Sequence, residues 1–350
     1  MSVDKISNFQ KIYEYKNLYN AYKKARENKR NKLEVIEYEK DLSYNLWTLS
    51  NNIKNENFEE ILKYHKFNVF EPKQREIFAL DFNGRIFQHS LCDNVIGDWF
   101  DARLVYDCAA CRKNKGTHFA IKRLKLFLRK YYKQNKNDGY FLKIDIKKYF
   151  DNVDHEVLKE LIKTYPDDEI KQILHIIIDS YNNNTGKGLP IGNQTSQWFA
   201  LFYLNPVDRK IKEQYQIKYY VRYMDDLVLI HKDKNYLRKI LAELEKFANE
   251  YLKLEFNSKT QINKLSQGID FLGWNFKLSN TGKVIIKIRQ SNKRRYAKKI
   301  KVVPVNLKRN IITSQKAKAI VQSYLAHLKY GNTYNYCSFI RDIQYKLRST

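Results

Sequence analysis

The 350-residue sequence has few glycines (11), few prolines (5) and few cysteines (4), and it has no apolar run of about 18 residues. Because 43% of the residues are hydrophobic, the scarcity of glycine and proline excludes a disordered chain and indicates globular structure. A chain of this length can bury one sizeable core, or about two to three cores in series. The missing apolar run excludes a transmembrane helix, and residues 1–6 have no apolar signal core, so we expect an intracellular protein with no membrane partner.

The four cysteines (Cys92, Cys108, Cys111 and Cys337) are too few for a disulfide scaffold in a chain of this size. Cys108 and Cys111 have the spacing of half a zinc site, but no second cysteine pair or histidine pair completes it. We therefore expect the cysteines to serve in packing.

Acidic residues are scarce as well, because 38 Asp and Glu stand against 65 Lys and Arg, a net charge of +27. Such an excess predicts a polyanionic partner, with nucleic acid as the first candidate and a membrane surface as the second. Tyrosine is abundant (27 residues) and often lies among basic residues, which suits base stacking combined with phosphate contact, although most tyrosines are expected in cores. Lys23–Lys32 is nearly all positive, and it is either an RNA-contacting helix or a solvated face.

Hydrophobic periodicity and turn residues divide the chain into short elements, without repeats or long low-complexity linkers. Helices are predicted over 1–65, 86–105, 119–133 (with Thr117 as the N-cap), 154–164, 167–181, 193–215, 235–251 and most of the basic segment 283–350. Strands are predicted in a hairpin within 66–85, over 140–146, in the two arms of 219–231, and at 252–256 and 269–274.

The most informative stretch is Tyr219–His231, in which Asp225 and Asp226 lie between two runs of β-forming residues. The pair falls at the tight turn that joins two predicted strands. Side chains alternate between the faces of a strand, so a turn is one of few places where adjacent carboxylates can approach one point. Burying them unpaired would be costly, and a divalent cation such as Mg²⁺ would relieve that cost.

A third carboxylate, Asp145, lies at the end of another predicted strand, with helices between it and the acidic hairpin. This β-α-β arrangement would bring Asp145, Asp225 and Asp226 to one sheet edge. Three carboxylates there would support two Mg²⁺ ions about 4 Å apart, the arrangement for in-line attack on a phosphoryl group. One ion lowers the pKa of an attacking 3′-hydroxyl, and the other stabilises the leaving pyrophosphate. The pattern predicts polymerase chemistry.

From Lys66 to its C-terminus the chain resembles reverse transcriptases, on four motifs in the order typical of them: Lys143–Phe150, Gly188–Gln197, Tyr223–Asp226 and Phe271–Trp274. The resemblance implies an α+β right-hand polymerase fold with fingers, a palm of antiparallel sheet packed on helices, and a helical thumb. The domains expected from it are an N-terminal helical extension (1–65), fingers (66–138), palm with finger-side insertions (139–276) and thumb (277–350).

The second motif narrows the subfamily. Most reverse transcriptases have Gln-Gly at 191–192 and Ser-Pro at 196–197, whereas Ile-Gly-Asn-Gln-Thr-Ser-Gln here resembles the enzymes of diversity-generating retroelements, which are group II intron-like bacterial reverse transcriptases. Segments 85–89 and 110–118 resemble theirs too, although that family more often has two histidines at 88–89. Gln194 and Trp198 replace its commoner leucine and leucine or phenylalanine, which leaves open a neighbouring clade such as phage-defence reverse transcriptases.

The resemblance also implies a role for each matching residue. Metal ligands would be Asp145 with the Ile146 carbonyl, Asp225 and, less directly, Asp226. Phe150 would stack under the incoming sugar and exclude a 2′-hydroxyl, and Lys259 would protonate pyrophosphate. The remaining candidates are the triphosphate-binding Arg75, Arg85 and Lys73, the nucleotide-pocket residues Ile191 and Gln197, and a primer grip of Phe271, Leu272, Gly273 and Trp274.

The expected function is RNA-directed DNA synthesis in a diversity-generating retroelement. The resemblance implies two Mg²⁺ ions, with Mn²⁺ as a substitute, a template RNA, a cDNA primer and product, dNTPs, and a small basic accessory protein. It also implies a cytoplasmic enzyme that a bacterium or a phage encodes. An aliphatic Ile191 would loosen nucleotide selection and make copying error-prone. The alternatives are a phage-defence enzyme that makes templated or untemplated DNA, and an inactive RNA-binding scaffold.

Overall fold

The computed structural model describes residues 6–70, 74–181 and 185–346 and divides into two compact units. Unit 1 comprises Met1–Cys111, Ile146–Lys210 and Glu243–Asn257, and unit 2 comprises Arg112–Asp145, Ile211–Ala242 and Ser258–Thr350. Both combine helices with antiparallel strands, which confirms the predicted α+β class.

The elements are numbered in chain order. The helices are α1 (Asn8–Tyr13), α2 (Tyr15–Ala25), α3 (Leu33–Lys40), α4 (Leu42–Lys54), α5 (Phe58–Ile61), α6 (Phe82–Leu91), α7 (Gly97–Arg103), α8 (Thr117–Asn135), α9 (Tyr149–Asn152), α10 (His155–Ile162), α11 (Asp168–Ser180), α12 (Gln194–Tyr203), α13 (Asn205–Arg209), α14 (Lys234–Leu252), α15 (Gln290–Lys308), α16 (Ser314–Leu328) and α17 (Tyr334–Lys346). The strands are β1 (Tyr64–Val69), β2 (Arg75–Leu80), β3 (Tyr140–Asp145), β4 (Tyr219–Tyr223), β5 (Asp226–His231), β6 (Gln261–Lys264), β7 (Ile269–Phe271), β8 (Trp274–Leu278) and β9 (Val284–Ile288).

Unit 1 is mainly helical, and its strands β1 and β2 form the hairpin predicted within 66–85. Helix α6 packs against α1 and α2. A cluster of aromatic rings forms part of the core, in which Phe100 stacks on Trp198 with ring centroids 6.1 Å apart and meets Phe202 edge-on at 5.1 Å. Burying rings of this size contributes much of the hydrophobic stabilisation of a core.

Unit 2 contains a four-stranded antiparallel sheet in the order β4-β5-β3-β6. Strands β3 and β4 run in the same direction, and β5 lies between them, so the predicted β-α-β connection is present in split form. Helix α8 packs on β4 through Phe127 and Tyr131, whose rings meet the ring of Tyr219 at 5.8 and 5.6 Å. A second antiparallel sheet, β7-β8-β9, and the helices α15–α17 complete the unit.

The structure corrects several boundaries predicted from the sequence. No strand covers 252–256, because α14 continues to Leu252, Lys253 adopts a left-handed φ of 51°, and Phe256 makes only an isolated bridge. The apolar alternation there reflects burial of the helix end, where the Leu254 N–H donates to the Ala248 carbonyl at 2.9 Å. Segment 269–274 is a hairpin rather than one strand.

Three helix boundaries also differ. Gly116 rather than Thr117 occupies the N-cap of α8. The predicted helix 86–105 begins at Phe82 and includes a π-helical turn at Cys92–Ile96, and the predicted helix 193–215 is divided at Leu204 into α12 and α13. Within the described residues, we find no helix with both the length and the apolar character needed to span a bilayer.

Candidate active site

The acidic hairpin has the predicted form. Tyr223 pairs with Asp226 at the ends of β4 and β5, so Met224 and Asp225 form a two-residue turn. Met224 has a φ of 54°, a left-handed backbone conformation that residues other than Gly, Asn and Asp rarely adopt. The fully buried Arg222 supports the turn by donating from Nη1 to the Met224 carbonyl at 3.1 Å.

Asp145 lies directly opposite Asp226 in the antiparallel register of β3 and β5. Paired residues of an antiparallel ladder share a face, with Cβ atoms about 4.5–5.5 Å apart. Because Asp225 immediately precedes Asp226, the three predicted carboxylates lie at one end of the sheet. Thr260 braces this end, since its Oγ1 accepts from the Asp145 N–H at 3.3 Å.

Asp226 lies in an electrostatically unfavourable environment. Its Oδ1 is buried and accepts no hydrogen bond within the described chain, although Lys143 Nζ approaches it at 3.2 Å as an ion pair. Burial raises the pKa of Asp226 to about 6; Lys143 opposes that shift, whereas the negative charges of Asp225 and Asp145 add to it. A buried carboxylate beside two others requires cationic compensation.

The residues fit a divalent cation in chemistry, because the site offers carboxylate oxygens and an unsatisfied buried Oδ1. Their side chains are not gathered at ligating distance, since across 6–70, 74–181 and 185–346 no three His, Cys, Asp or Glu form a metal-binding group. Ile146, which follows Asp145, forms an isolated bridge with Phe256.

The remaining candidates of unit 2 lie beside this sheet. Lys259 is exposed in the turn before Thr260. In the predicted primer grip, Phe271 and Trp274 are buried, and Leu272 and Gly273 form the β7–β8 turn with φ of 50° and 84°. The Gly273 carbonyl accepts from the Arg289 N–H at 3.0 Å, which fixes the turn against the start of α15.

Comparison with known proteins identifies the family. Residues 65–276 match the family described as "Reverse transcriptase (RNA-dependent DNA polymerase)". The chain belongs to the reverse transcriptase family. Members of this family are nucleotidyltransferases that synthesise DNA on an RNA template, which confirms the predicted enzyme class. No curated protein matches the sequence.

Among solved structures, the reverse transcriptase is similar to telomerases. Apo telomerase from Candida tropicalis lacking its C-terminal domain has 16% identity and a TM-score of 0.49, with 66% of this chain and 55% of that chain covered. Candida tropicalis telomerase with a TWJ fragment of telomeric RNA has 15% identity and a TM-score of 0.48, with 84% and 58% covered. The Candida albicans complex has 12% identity and a TM-score of 0.48, with 85% and 63% covered. The chain thus spans less than two thirds of each of these telomerases.

The nucleotide-pocket candidates of the reverse transcriptase lie in unit 1. A hydrogen bond and a close approach connect the segments that contain them. The Leu189 N–H donates to the Phe150 carbonyl at 2.8 Å, which ties α9 to the loop that contains Ile191. A Cβ on Gly192 would lie 3.7 Å from the Ile77 side chain, so this loop also approaches β2. Phe150, Ile191 and Gln197 are all partly exposed.

The basic candidates differ in their surroundings. Arg75 is exposed at the start of β2, opposite Val69. Arg85 is half-buried in α6, where it forms an ion pair with Glu34 of α3 and lies over the Phe82 ring, 5.2 Å from its centroid. Lys73 lies outside the described residues.

Sequence reasoning missed three supports of the carboxylates: Lys143, Arg222 and Thr260. Strand periodicity could have found the first, because Lys143 lies two residues before Asp145 and so shares its face. Arg222 is a charge inside an otherwise apolar strand, which also signals a buried polar contact. Thr260 carries no such signal, since its contact with Asp145 is non-local.

Proposed function

We propose that this reverse transcriptase copies a template RNA into cDNA by nucleotidyl transfer at Asp145, Asp225 and Asp226. The observation that carries the proposal is the direct pairing of Asp145 with Asp226 beside the turn that presents Asp225. With the Ile146 carbonyl, these residues would hold two Mg²⁺ ions, which supply Lewis-acid activation of the 3′-hydroxyl and charge stabilisation at the leaving pyrophosphate.

The chain's own residues position the reactants. Arg75 and Arg85, with Lys73 as a further candidate, would bind the triphosphate, and charge-assisted hydrogen bonds suit them to it. Phe150 would stack against the sugar and leave no room for a 2′-hydroxyl. Lys259, exposed in the turn before Thr260, would donate a proton to the departing pyrophosphate.

The pocket and the strand-binding surfaces complete the assignment. Ile191 and Gln197 would line the nucleotide pocket, and the turn Phe271–Trp274 would hold the primer. On this reading 66–138 are the fingers, 139–276 the palm and 277–350 the thumb, following the helical extension 1–65. The partners are the template RNA, the cDNA and dNTPs, and the net charge of +27 supports binding of both strands.

A diversity-generating retroelement is the context that the motif at 191–197 supports best, with a small basic accessory protein as a further partner. The departures at Gln194 and Trp198 keep a phage-defence role as the second candidate. The genomic neighbourhood separates them. A template and variable repeat pair with changes at adenines supports the retroelement, and its absence contradicts it.

The decisive experiment on activity is primer extension on an RNA template with Asp225→Ala and Asp226→Ala. We expect each variant to lose at least about a thousandfold in rate, since the remaining carboxylates cannot compensate for a lost ligand. Asp151→Ala, an exposed carboxylate on α9, is the matched control and should extend normally. Activity that survives both substitutions would refute the assignment and favour an RNA-binding scaffold.

A further inference from the structure

Lys143 occupies a central position on β3. Alternation along the strand places its side chain on the same face as Asp145, and in the register it lies opposite Val228 of β5. Its side chain is only 17% exposed, although it carries a charge. A lysine is rarely this buried without partners that compensate its charge.

Two oxygen atoms hold the Lys143 ammonium group. Nζ lies 3.2 Å from Asp226 Oδ1, and it donates a hydrogen bond to the Asp270 backbone carbonyl at 2.7 Å. Asp226 belongs to the acidic hairpin, and Asp270 is the central residue of β7. One side chain therefore joins two different sheets of unit 2.

Asp270 is itself firmly held. Its Oδ1 accepts from Asn275 Nδ2 at 2.8 Å across the β7–β8 pair, and its Oδ2 lies 3.3 Å from Arg289 Nε. The turn Phe271–Trp274 begins at the next residue, and its Gly273 carbonyl also accepts from Asn292 Nδ2 at 3.2 Å. The carbonyl that receives Lys143 is thus part of a braced hairpin.

We propose that Lys143 is a positioning residue of the polymerase reaction, whose ammonium group fixes the Asp226 carboxylate relative to the hairpin that holds the primer end. This inference rests on the proposed function. The lysine touches no reactant and acts through Asp226. Its hydrogen bond to the Asp270 carbonyl does not involve Asp226, so it could persist if the carboxylate held a cation.

The contact has a second consequence. Lys143 would compete with a divalent cation for the Asp226 carboxylate, because its Nζ lies 3.2 Å from Oδ1. Removing its positive charge should therefore tighten cation binding while it loosens the geometry. Loss of geometry lowers the turnover number, because displacements near 1 Å can cost about a hundredfold in rate. The two effects have opposite signs, which distinguishes positioning from general damage.

The experiment compares the full-length wild type with Lys143→Met and Lys143→Arg. Lys147→Met is the matched control, because that lysine is 57% exposed and pairs with Glu255 on the surface. Primer extension gives kcat and the KM values for primer–template and dNTP. Electron paramagnetic resonance of Mn²⁺ gives the cation Kd of the protein without nucleic acid.

For Lys143→Met we expect kcat to fall about 30- to 100-fold, with both KM values within about threefold. The Mn²⁺ Kd should fall about thirtyfold, as the loss of a unit positive charge about 4 Å from a divalent cation predicts. Lys143→Arg should recover most of kcat, since a guanidinium keeps the charge and can donate to both oxygens. Lys147→Met should behave as the wild type.

An unchanged kcat in Lys143→Met overturns the proposal. Weaker Mn²⁺ binding together with slower extension also overturns it, because that pattern indicates structural damage. If the wild type extends no primer, the proposed function fails, and the Mn²⁺ affinities of the variants still decide whether Lys143 competes for Asp226. Failure of the lysine proposal alone leaves wild-type extension intact.

Discussion

Two hairpins that carry candidate residues are built in opposite ways, the acidic hairpin of Asp225 and Asp226 and the basic hairpin of Arg75. The acidic hairpin β4–β5 is buried along most of both strands. In the basic hairpin β1–β2, all of β1 after its first residue and the first two residues of β2 are exposed. In the first, the backbone register places Asp226 against Asp145. In the second, pairing fixes the backbone, and long cationic side chains extend into solvent.

This difference follows from what each hairpin would have to do. Carboxylates that share small cations must be held to a fraction of an ångström, and a sheet buried on both faces supplies that rigidity. Arginine and lysine side chains that bind a mobile triphosphate must be able to extend towards it. An exposed strand leaves these long side chains free to move. We therefore expect the buried hairpin to hold its carboxylates in fixed positions and the exposed hairpin to adapt its side chains to a ligand.

The contrast is tested most directly with one arginine from each hairpin, Arg222 in β4 and Arg75 in β2. Arg222 is fully buried and holds the Met224 carbonyl. Arg222→Met should lower the free energy of unfolding by about 1–3 kcal/mol, the usual cost of leaving a buried acceptor, here the Met224 carbonyl, without its donor. Arg75→Met, on an exposed strand, should change it by less than about 0.5 kcal/mol. Urea unfolding monitored by tryptophan fluorescence measures both.

Equal effects of these two substitutions would contradict the contrast between the hairpins. A control for the loss of a long side chain is Lys66→Met in β1, where the lysine forms a surface pair with Glu76 at 2.7 Å. We expect this variant to match Arg75→Met.

The second prediction concerns the free-energy cost of keeping the buried Asp226 carboxylate ionised in the absence of cations. The pKa of Asp226 is raised to about 6 from 3.8, so the folded state binds the proton more tightly than the unfolded state. The contribution of Asp226 to stability is therefore complete below about pH 4, is lost as the pH rises through about 6, and is absent above that. The shift of about 2 units sets an upper limit of about 3 kcal/mol, and the 24% exposure of the side chain reduces it.

Asp226→Asn removes this cost. In EDTA we expect the variant to be more stable than the wild type at pH 8 by about 1–3 kcal/mol, with the gap closing towards pH 4. Asp151→Asn, on the exposed face of α9, serves as the control and should shift stability equally at both pH values. A gap that widens at low pH would contradict the assigned sign. Thermal unfolding across this pH range supplies the measurement.

The sequence predicted the fixed hairpin better than its surroundings. The strand-turn-strand pattern placed Asp225 and Asp226 correctly, because alternating burial and a two-residue turn are local properties. The approach of Asp145 was also predicted, although its direct register with Asp226 was not, since register depends on contacts across the sheet. The family match over 65–276 agrees with the motifs that suggested it.

Elements whose apolar residues are buried for another reason could not be predicted locally. Leu252 and Leu254 look like strand residues, but they close the end of α14. Leu272 and Gly273 look like strand continuation, but both adopt positive φ and reverse the chain. The partnership of Arg85 with Glu34 spans about fifty residues and carries no sequence signal.

The ion pair between Arg85 and Glu34 gives the third prediction, which concerns the residues expected to bind the triphosphate. If Arg85 binds the triphosphate, Glu34 competes with it for the same guanidinium. Glu34→Gln should then lower the KM for dNTP about two- to threefold, a modest change because solvent weakens an ion pair that is partly exposed. Glu37→Gln, whose carboxylate pairs with Lys40 on the surface of α3, is the control. Steady-state primer extension decides, and an unchanged KM would leave Arg85 a purely structural tie between α3 and α6.

The smallest expected effect lies at Ile191, in the loop that approaches β2 and is tied to Phe150 through Leu189. An aliphatic side chain offers the nucleotide no hydrogen bond, so discrimination there depends on shape, and apolar contacts discriminate weakly. Ile191→Gln should change the spectrum of misincorporation while total synthesis stays within about twofold, because the carboxylates of the buried hairpin are untouched. Sequencing of cDNA from a defined template measures both quantities. Identical error spectra would show that selection is set elsewhere, and a collapse of synthesis would show that this loop is as rigidly required as the acidic turn.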